Sequence, residues 1–159
     1  MDKLLKLLDT NARMSNAELA VVLGSTEEAV AARIAELERS GVIRSYKAVI
    51  DWERTDRPYV TALIELRVTP KRDLGFEGIA EQVMQFDEVE SVYLMSGGYD
   101  LSVTVTGHTF KEVAMFVAKR LSTLDSVVST ATHFVLRRYK DDGVLFLGEK
   151  KDERSPGIQ

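Results

Sequence analysis

The chain has 159 residues, 45% of them hydrophobic and 29% charged, a balance that supports one ordinary domain or two small ones with a buried core. It contains no Cys, which excludes disulfides, thiolate metal sites and cysteine nucleophiles and fits a reducing, cytoplasmic setting. Its formal net charge is −4, and residues 1–50 hold seven Lys and Arg against seven Asp and Glu, so any affinity for nucleic acid has to come from local charge placement.

The N-terminus does not read as a signal peptide, because Asp2, Lys3 and Lys6 interrupt the apolar residues up to Leu8. No apolar run reaches bilayer length, so no membrane partner is expected. Three helices follow from the pattern: Lys3 to Asp9, Asn16 to Leu23 and Thr26 to Ser40. Ser15 with Glu18, and Ser25 with Glu28, each match the S-x-x-E capping box, in which the Ser oxygen accepts an orphan helix N–H and the Glu reaches back. Gly24 and Gly41 stand where the second and third helices end, positions that favour a residue free to take positive φ. Helix, tight turn, helix is the punctuation of a helix-turn-helix.

In the third helix Val30, Ile34 and Leu37 form the packing stripe. Thr26, Ala29, Ala32, Arg33 and Glu36 are read as its outward side, small where a backbone could approach a groove and carrying one Arg. Val42 to Ile50 reads as a short strand, a wing bearing Arg44 and Lys47. The candidate DNA-facing set is therefore Ser25, Thr26, Ala29, Arg33, Arg44 and Lys47. Residues 1–50 form this domain, and the polar stretch 51–58 reads as a linker.

From Tyr59 the period becomes twofold, with Val60, Ala62, Ile64, Leu66 and Val68 on one face. Phe76, Ile79, Ala80, Val83 and Phe86 give a helical stripe. Val89 to Met95 and Tyr99 to Thr106 are two strands joined through Ser96, Gly97 and Gly98. Thr109 with Glu112 repeats the capping box ahead of a second helix, and Val127 to Arg138 is the last strand. The order β-α-β-β-α-β over 59–140 is the ferredoxin-like arrangement, an antiparallel sheet with both helices on one face, and the fold class is α+β. Leu63, Val92, Leu94, Phe134 and Leu136 are expected to leave apolar area on the face without helices, which implies a homodimer. Residues 141–159 form a charged tail, with an extra strand over Val144 to Leu147 and disorder from Lys150 onward.

Four stretches, in this order and spacing, carry a resemblance to the leucine-responsive and asparagine-responsive (Lrp/AsnC) family of transcription regulators: LDTNARMSNAELA at 8–20, RIAELERSGVI at 33–43, GGYD at 97–100, and Ser129 to Thr132 leading to Tyr139-Lys140. The resemblance implies a winged helix-turn-helix that binds double-stranded DNA. It also implies a dimer through the sheet domain, often four dimers closed into an octamer, and an amino-acid effector held between dimers. The family pattern puts the effector around Gly97, Gly98, Tyr99 and Asp100, with hydroxyls from Ser129, Thr130 and Thr132. The chemistry is reasonable, since glycine N–H groups can take a carboxylate and Asp100 can pair an ammonium.

One departure is the acidic opening Ser25-Thr26-Glu27-Glu28 where a base-reading helix meets the groove; Glu27 could accept from cytosine N4. His108 and His133 lack Cys or spaced His partners, so no metal site and no cofactor are expected. Two alternatives stay open. One is a sensing or assembly module of the same fold that does not read DNA, which the neutral N-terminal domain allows. The other is an enzyme resembling tetrapyrrole decarboxylases of similar architecture, which should place His and Arg in the sheet-domain pocket, where this chain has Gly97 to Asp100.

Overall fold

A computed structural model describes residues 2–57, 59–70, 72–73 and 75–146. The chain divides after Ala48 into a helical unit and a sheet unit. The helical unit is α1 (Lys3–Thr10), α2 (Asn16–Leu23) and α3 (Glu27–Arg39) around Leu4, Leu8, Leu19, Val30 and Leu37, with Leu19 wholly buried.

Each start has a local cause. Asp2 caps α1 by accepting the Leu4 N–H at 3.0 Å. Ser15 and Glu18 form the expected capping box at α2: the hydroxyl accepts the Glu18 N–H at 3.2 Å and the carboxylate accepts the Ser15 N–H at 2.7 Å. The box expected at Ser25 and Glu28 does not form. Thr26 caps α3 instead, its hydroxyl accepting the Ala29 N–H at 3.2 Å, so the helix begins one residue later and Glu28 has no capping role. Gly24 (φ +63°) and Gly41 (φ +73°) are both left-handed, as their places at helix ends require.

The Ser15 box yields a prediction. Its backbone N–H, then its hydroxyl, holds the Glu18 carboxyl below its ordinary pKa. A depressed carboxyl stabilises the fold above the ordinary value, and that contribution is lost as pH falls through the lowered one. Ser15→Ala should cost about 1 kcal/mol at neutral pH and flatten the acid limb of the stability curve. An unchanged melting temperature at pH 7 by circular dichroism would contradict this.

The expected wing strand over Val42–Ile50 is absent, since the segment bends at Val42 and Ile43 and pairs with no strand. Its β-branched composition suits a strand, yet the helical unit offers no second strand, and a lone strand has nothing to satisfy its backbone. The region read as linker also carries structure: a 3₁₀ turn over Trp52–Arg54, with Trp52 stacked on Tyr59 at 5.2 Å.

The sheet unit runs β1 (Val60–Val68), α4 (Gly75–Met84), β2 (Val89–Leu94), β3 (Leu101–Gly107), α5 (Phe110–Phe116, extended by a π turn over Val117–Leu121) and β4 (Val127–Phe134). The antiparallel order β2-β3-β1-β4 is the ferredoxin-like topology. Ala62, Ile64, Leu66, Leu101, Val103 and Val105 face α4 and α5 and are buried with Val83, Val113 and Leu121. Thr109 caps α5 through the Glu112 N–H, but the Glu112 carboxylate reaches the His108 N–H rather than that of Thr109, shifting the expected box by one residue. A two-residue hairpin, β5 (Lys140–Asp141) with β6 (Val144–Leu145), follows; the expected continuation to Leu147 and the tail from Lys150 lie outside the described residues.

The apolar open face is a correction. Paired residues share a face, and Val92 pairs with Val103 while Phe134 pairs with Ala62, so both belong to the helix-side core. Leu94 pairs with Leu101, on that same side, and Leu136 lies beyond the end of β4. Of the four within strands only Leu63 faces away from the helices. Its face is mostly polar, with Ser91 donating to Thr104 at 2.7 Å and His133 placed 3.3 Å from Glu65.

Candidate functional site

In the helical unit, the short connection Gly24-Ser25-Thr26 sets α3 beside α2 and leaves Ser25, Thr26 and Ala29 exposed at the α3 N-terminus together with Glu27 and Glu28. Arg33 is occupied. Its guanidinium donates to Glu36 at 2.6 Å and to Asp2 at 3.2 Å, and these bonds, Glu36 first, push its pKa further up. Arg44 and Lys47 are exposed on the irregular segment after α3, and among the described residues neither forms an ion pair. Tyr46, between them, donates its hydroxyl to Glu38 at 2.9 Å and so ties that segment to α3.

Helical angle separates Arg33 from the outward face. At about 100° per residue, Arg33 lies only some 60° from buried Val30, whereas Arg39 lies opposite it. Arg39 is exposed and unpaired among the described residues, in line with Glu28, Ala32 and Ala35. The sequence reading missed Arg39; counting angles from Val30 would have found it.

In the sheet unit, the β2–β3 turn brings Gly97, Gly98, Tyr99 and Asp100 to the C-terminal end of β1. Gly97 takes φ +151°, and the N–H groups of Gly97, Gly98 and Tyr99 make no hydrogen bond among the described residues. Asp100 is committed on one side: its backbone N–H donates to the Leu66 carbonyl at 2.9 Å, and Oδ2 accepts the Val68 N–H at 2.8 Å. The register slips between Arg67 and Val68. A ladder bond is lost at such a slip, and the carboxylate satisfies Val68 there.

The last-strand hydroxyls divide. Ser129 pairs with Arg67 at the same sheet end as Asp100, roughly two strand spacings away, about 10 Å. Thr130 and Thr132 pair with core residues Leu66 and Ile64 and so point to the helix side, where Thr130 meets the Ser122 hydroxyl at 3.4 Å. Of the three, only Ser129 shares the open face at the hairpin end. A solvent-open concavity of about 730 Å³ lies at the opposite end of the sheet, between the Trp52 turn, Tyr59, His108, Phe110 and Leu136. There burial, then the hydrogen bond to Glu90, pushes the Tyr59 phenol up to about 12, so it stays a donor at physiological pH. Glu53, Asp56 and Arg57 also line this concavity, which shares no residue with the Gly97–Asp100 turn.

A helix-turn-helix joined to a ferredoxin-like sheet with an exposed, donor-rich turn is the build of a DNA-binding regulator with a ligand-binding domain. Architecture alone does not fix function; comparison with known proteins does so here. Residues 61–145 match the Lrp/AsnC ligand binding domain, and residues 3–44 match a winged helix-turn-helix DNA-binding family. The chain is 48% identical to the uncharacterised HTH-type transcriptional regulator YugG of Bacillus subtilis, over 96% of this chain and 92% of that one. It is 31% identical to the proline dehydrogenase transcriptional activator of Rhodobacter capsulatus, over 84% and 86% of the two chains. A transcriptional regulator of Neisseria meningitidis, solved as an L-Met complex, is 25% identical with a TM-score of 0.74, covering 89% of this chain and 93% of that chain. The chain belongs to the Lrp/AsnC family of transcription regulators. That family consists of regulators and not enzymes, which removes the decarboxylase alternative. No helix among the described residues is long and apolar enough to cross a membrane.

Proposed function

We propose that this regulator binds double-stranded DNA as a cytoplasmic homodimer, which can close further into an octamer, and that an amino acid bound at the Gly97–Asp100 end of the sheet changes its DNA binding. The observation that carries the effector reading is the run of three N–H groups, Gly97 to Tyr99, unpartnered among the described residues and next to the Asp100 carboxylate, with both glycines exposed. The N–H groups suit a ligand carboxylate, and the second Asp100 oxygen suits its ammonium, the two ends that every α-amino acid presents. Ser129 is the hydroxyl best placed to join them, while Thr130 and Thr132 would act from behind the sheet. The L-Met complex of the Neisseria relative favours this class of ligand.

On the DNA side, Ser25, Thr26 and Ala29 would meet the groove and Arg44 and Lys47 the phosphates. Glu27 and Glu28 narrow which sequences are tolerated. Association is favoured by exposed apolar side chains in the sheet unit, Leu136 (86% exposed), Tyr139 (59%) and Leu145 (67%) among them. Titration calorimetry of the full chain against the standard amino acids, with light scattering on the same samples, tests the reading. Saturable heat with at least one amino acid and a mass of two or more chains are expected. A stable monomer at micromolar concentration that binds none of them would overturn it.

A further inference from the structure

We infer that Arg39, and not Arg33, is the phosphate-binding cation of α3, and that Arg33 is a positioning residue fixing α3 to the start of α1. The inference rests on the DNA-binding reading above and assigns its charges residue by residue.

Asp2 bonds both α1 and α3. One carboxylate oxygen caps α1 by accepting the Leu4 N–H at 3.0 Å, and the other accepts from Arg33 at 3.2 Å. The same guanidinium holds Glu36, one turn further along α3, at 2.6 Å. Arg33 therefore links the first residue ahead of α1 to the middle of the groove-facing helix, 31 residues apart in sequence. Moving Arg33 to a phosphate would break both bonds. It would also leave Asp2 and Glu36 as uncompensated negative charges in a unit whose charges already cancel, close to the DNA polyanion.

Arg39 carries no such cost. It sits half a helical turn away from the Val30 stripe, exposed, with no ion pair among the described residues. Following it in the chain are Arg44 and Lys47, on the segment that Tyr46 holds against Glu38. These three cations end α3 and continue past it, whereas the start of α3 is acidic. The helix thus has a polarity: carboxylates where it meets base edges and cations where it can reach the backbone. A phosphate contact at a helix C-terminus needs this kind of long, unoccupied side chain, because the helix dipole there repels anions.

The test uses the full chain on a DNA fragment from upstream of its own gene, with anisotropy read over a salt series and thermal unfolding read in parallel. Each neutralised phosphate contributes about 0.9 to the slope of log K against log salt. Arg39→Ala should lower the slope by about 0.9 for each DNA-bound chain, about 1.8 for a dimer, weaken binding roughly tenfold per chain near 0.1 M salt, and leave the melting temperature of the helical unit unchanged. Arg33→Ala should lower that melting temperature and leave the slope unchanged. Asp2→Asn should destabilise by less, since the Arg33–Glu36 bond survives it, and the double variant should be no worse than Arg33→Ala alone. Arg33→Ala flattening the slope at an unchanged melting temperature, or Arg39→Ala leaving the slope intact, overturns the assignment. A wild-type chain that binds no DNA overturns the DNA reading and the Arg39 half with it, while the Asp2–Arg33 coupling in thermal unfolding still decides the positioning half.

Discussion

Leu19→Ala is expected to unfold the helical unit and abolish DNA binding while the sheet unit stays folded. Leu19 is wholly buried at the centre of the α1–α2–α3 cluster. Truncating a buried Leu to Ala costs about 2–5 kcal/mol, and a unit of this size has only a few kcal/mol of stability in total. The sheet unit has its own core around Ile64, Leu66 and Val103, which the substitution does not touch. Amide exchange would show fast exchange confined to residues before Ala48, with amino-acid binding retained. Wild-type protection throughout, or full DNA affinity in the variant, would contradict it.

The second large effect concerns Asp100, and two variants separate its two roles. Asp100→Ala removes the acceptor for the Val68 N–H and should cost about 1–3 kcal/mol of stability. Asp100→Asn keeps an acceptor oxygen for Val68 and should cost less, but it also removes the charge that an ammonium requires. Removing one member of a buried charge pair costs about 3–5 kcal/mol, so both variants should bind the amino acid at least about a hundredfold more weakly. Asn binding as tightly as Asp would mean that the carboxylate serves only the slip in β1. A stable Ala variant would mean that Val68 finds another partner.

What was legible in the sequence was what is local. The Ser15–Glu18 box spans three residues and folds as read, and the twofold pattern of β1 sorts its buried face correctly because side-chain alternation needs no partner. The third helix start was ambiguous, because Ser25 and Thr26 can both cap and only backbone geometry chooses between them. The open sheet face was misread because the faces of Val92 and Phe134 depend on register with Val103 and Ala62, pairings set by distant strands. Val42–Ile50 has strand composition, and composition does not supply a partner strand. The site was less legible than the fold. The bond from the Val68 N–H to Asp100 spans 32 residues and that from Arg33 to Asp2 spans 31, so neither could be found by spacing. GGYD marked the turn between β2 and β3, yet the hydroxyl run grouped with it mixed Ser129, on the open face, with Thr130 and Thr132, which face the helices.

In the proposed function one chain couples an amino acid to DNA through two separate units. The most direct measurement is a DNA-binding titration of the full chain on its own upstream fragment, beside a scrambled fragment of equal length, with and without the amino acid found by calorimetry. Tighter binding to the natural fragment, a steep loss with salt, and a shift in affinity on adding the amino acid that disappears in Asp100→Asn are expected. Equal binding to both fragments, or an affinity that a bound amino acid leaves unchanged, would contradict it, because an effector shifts an equilibrium only by binding its two states unequally.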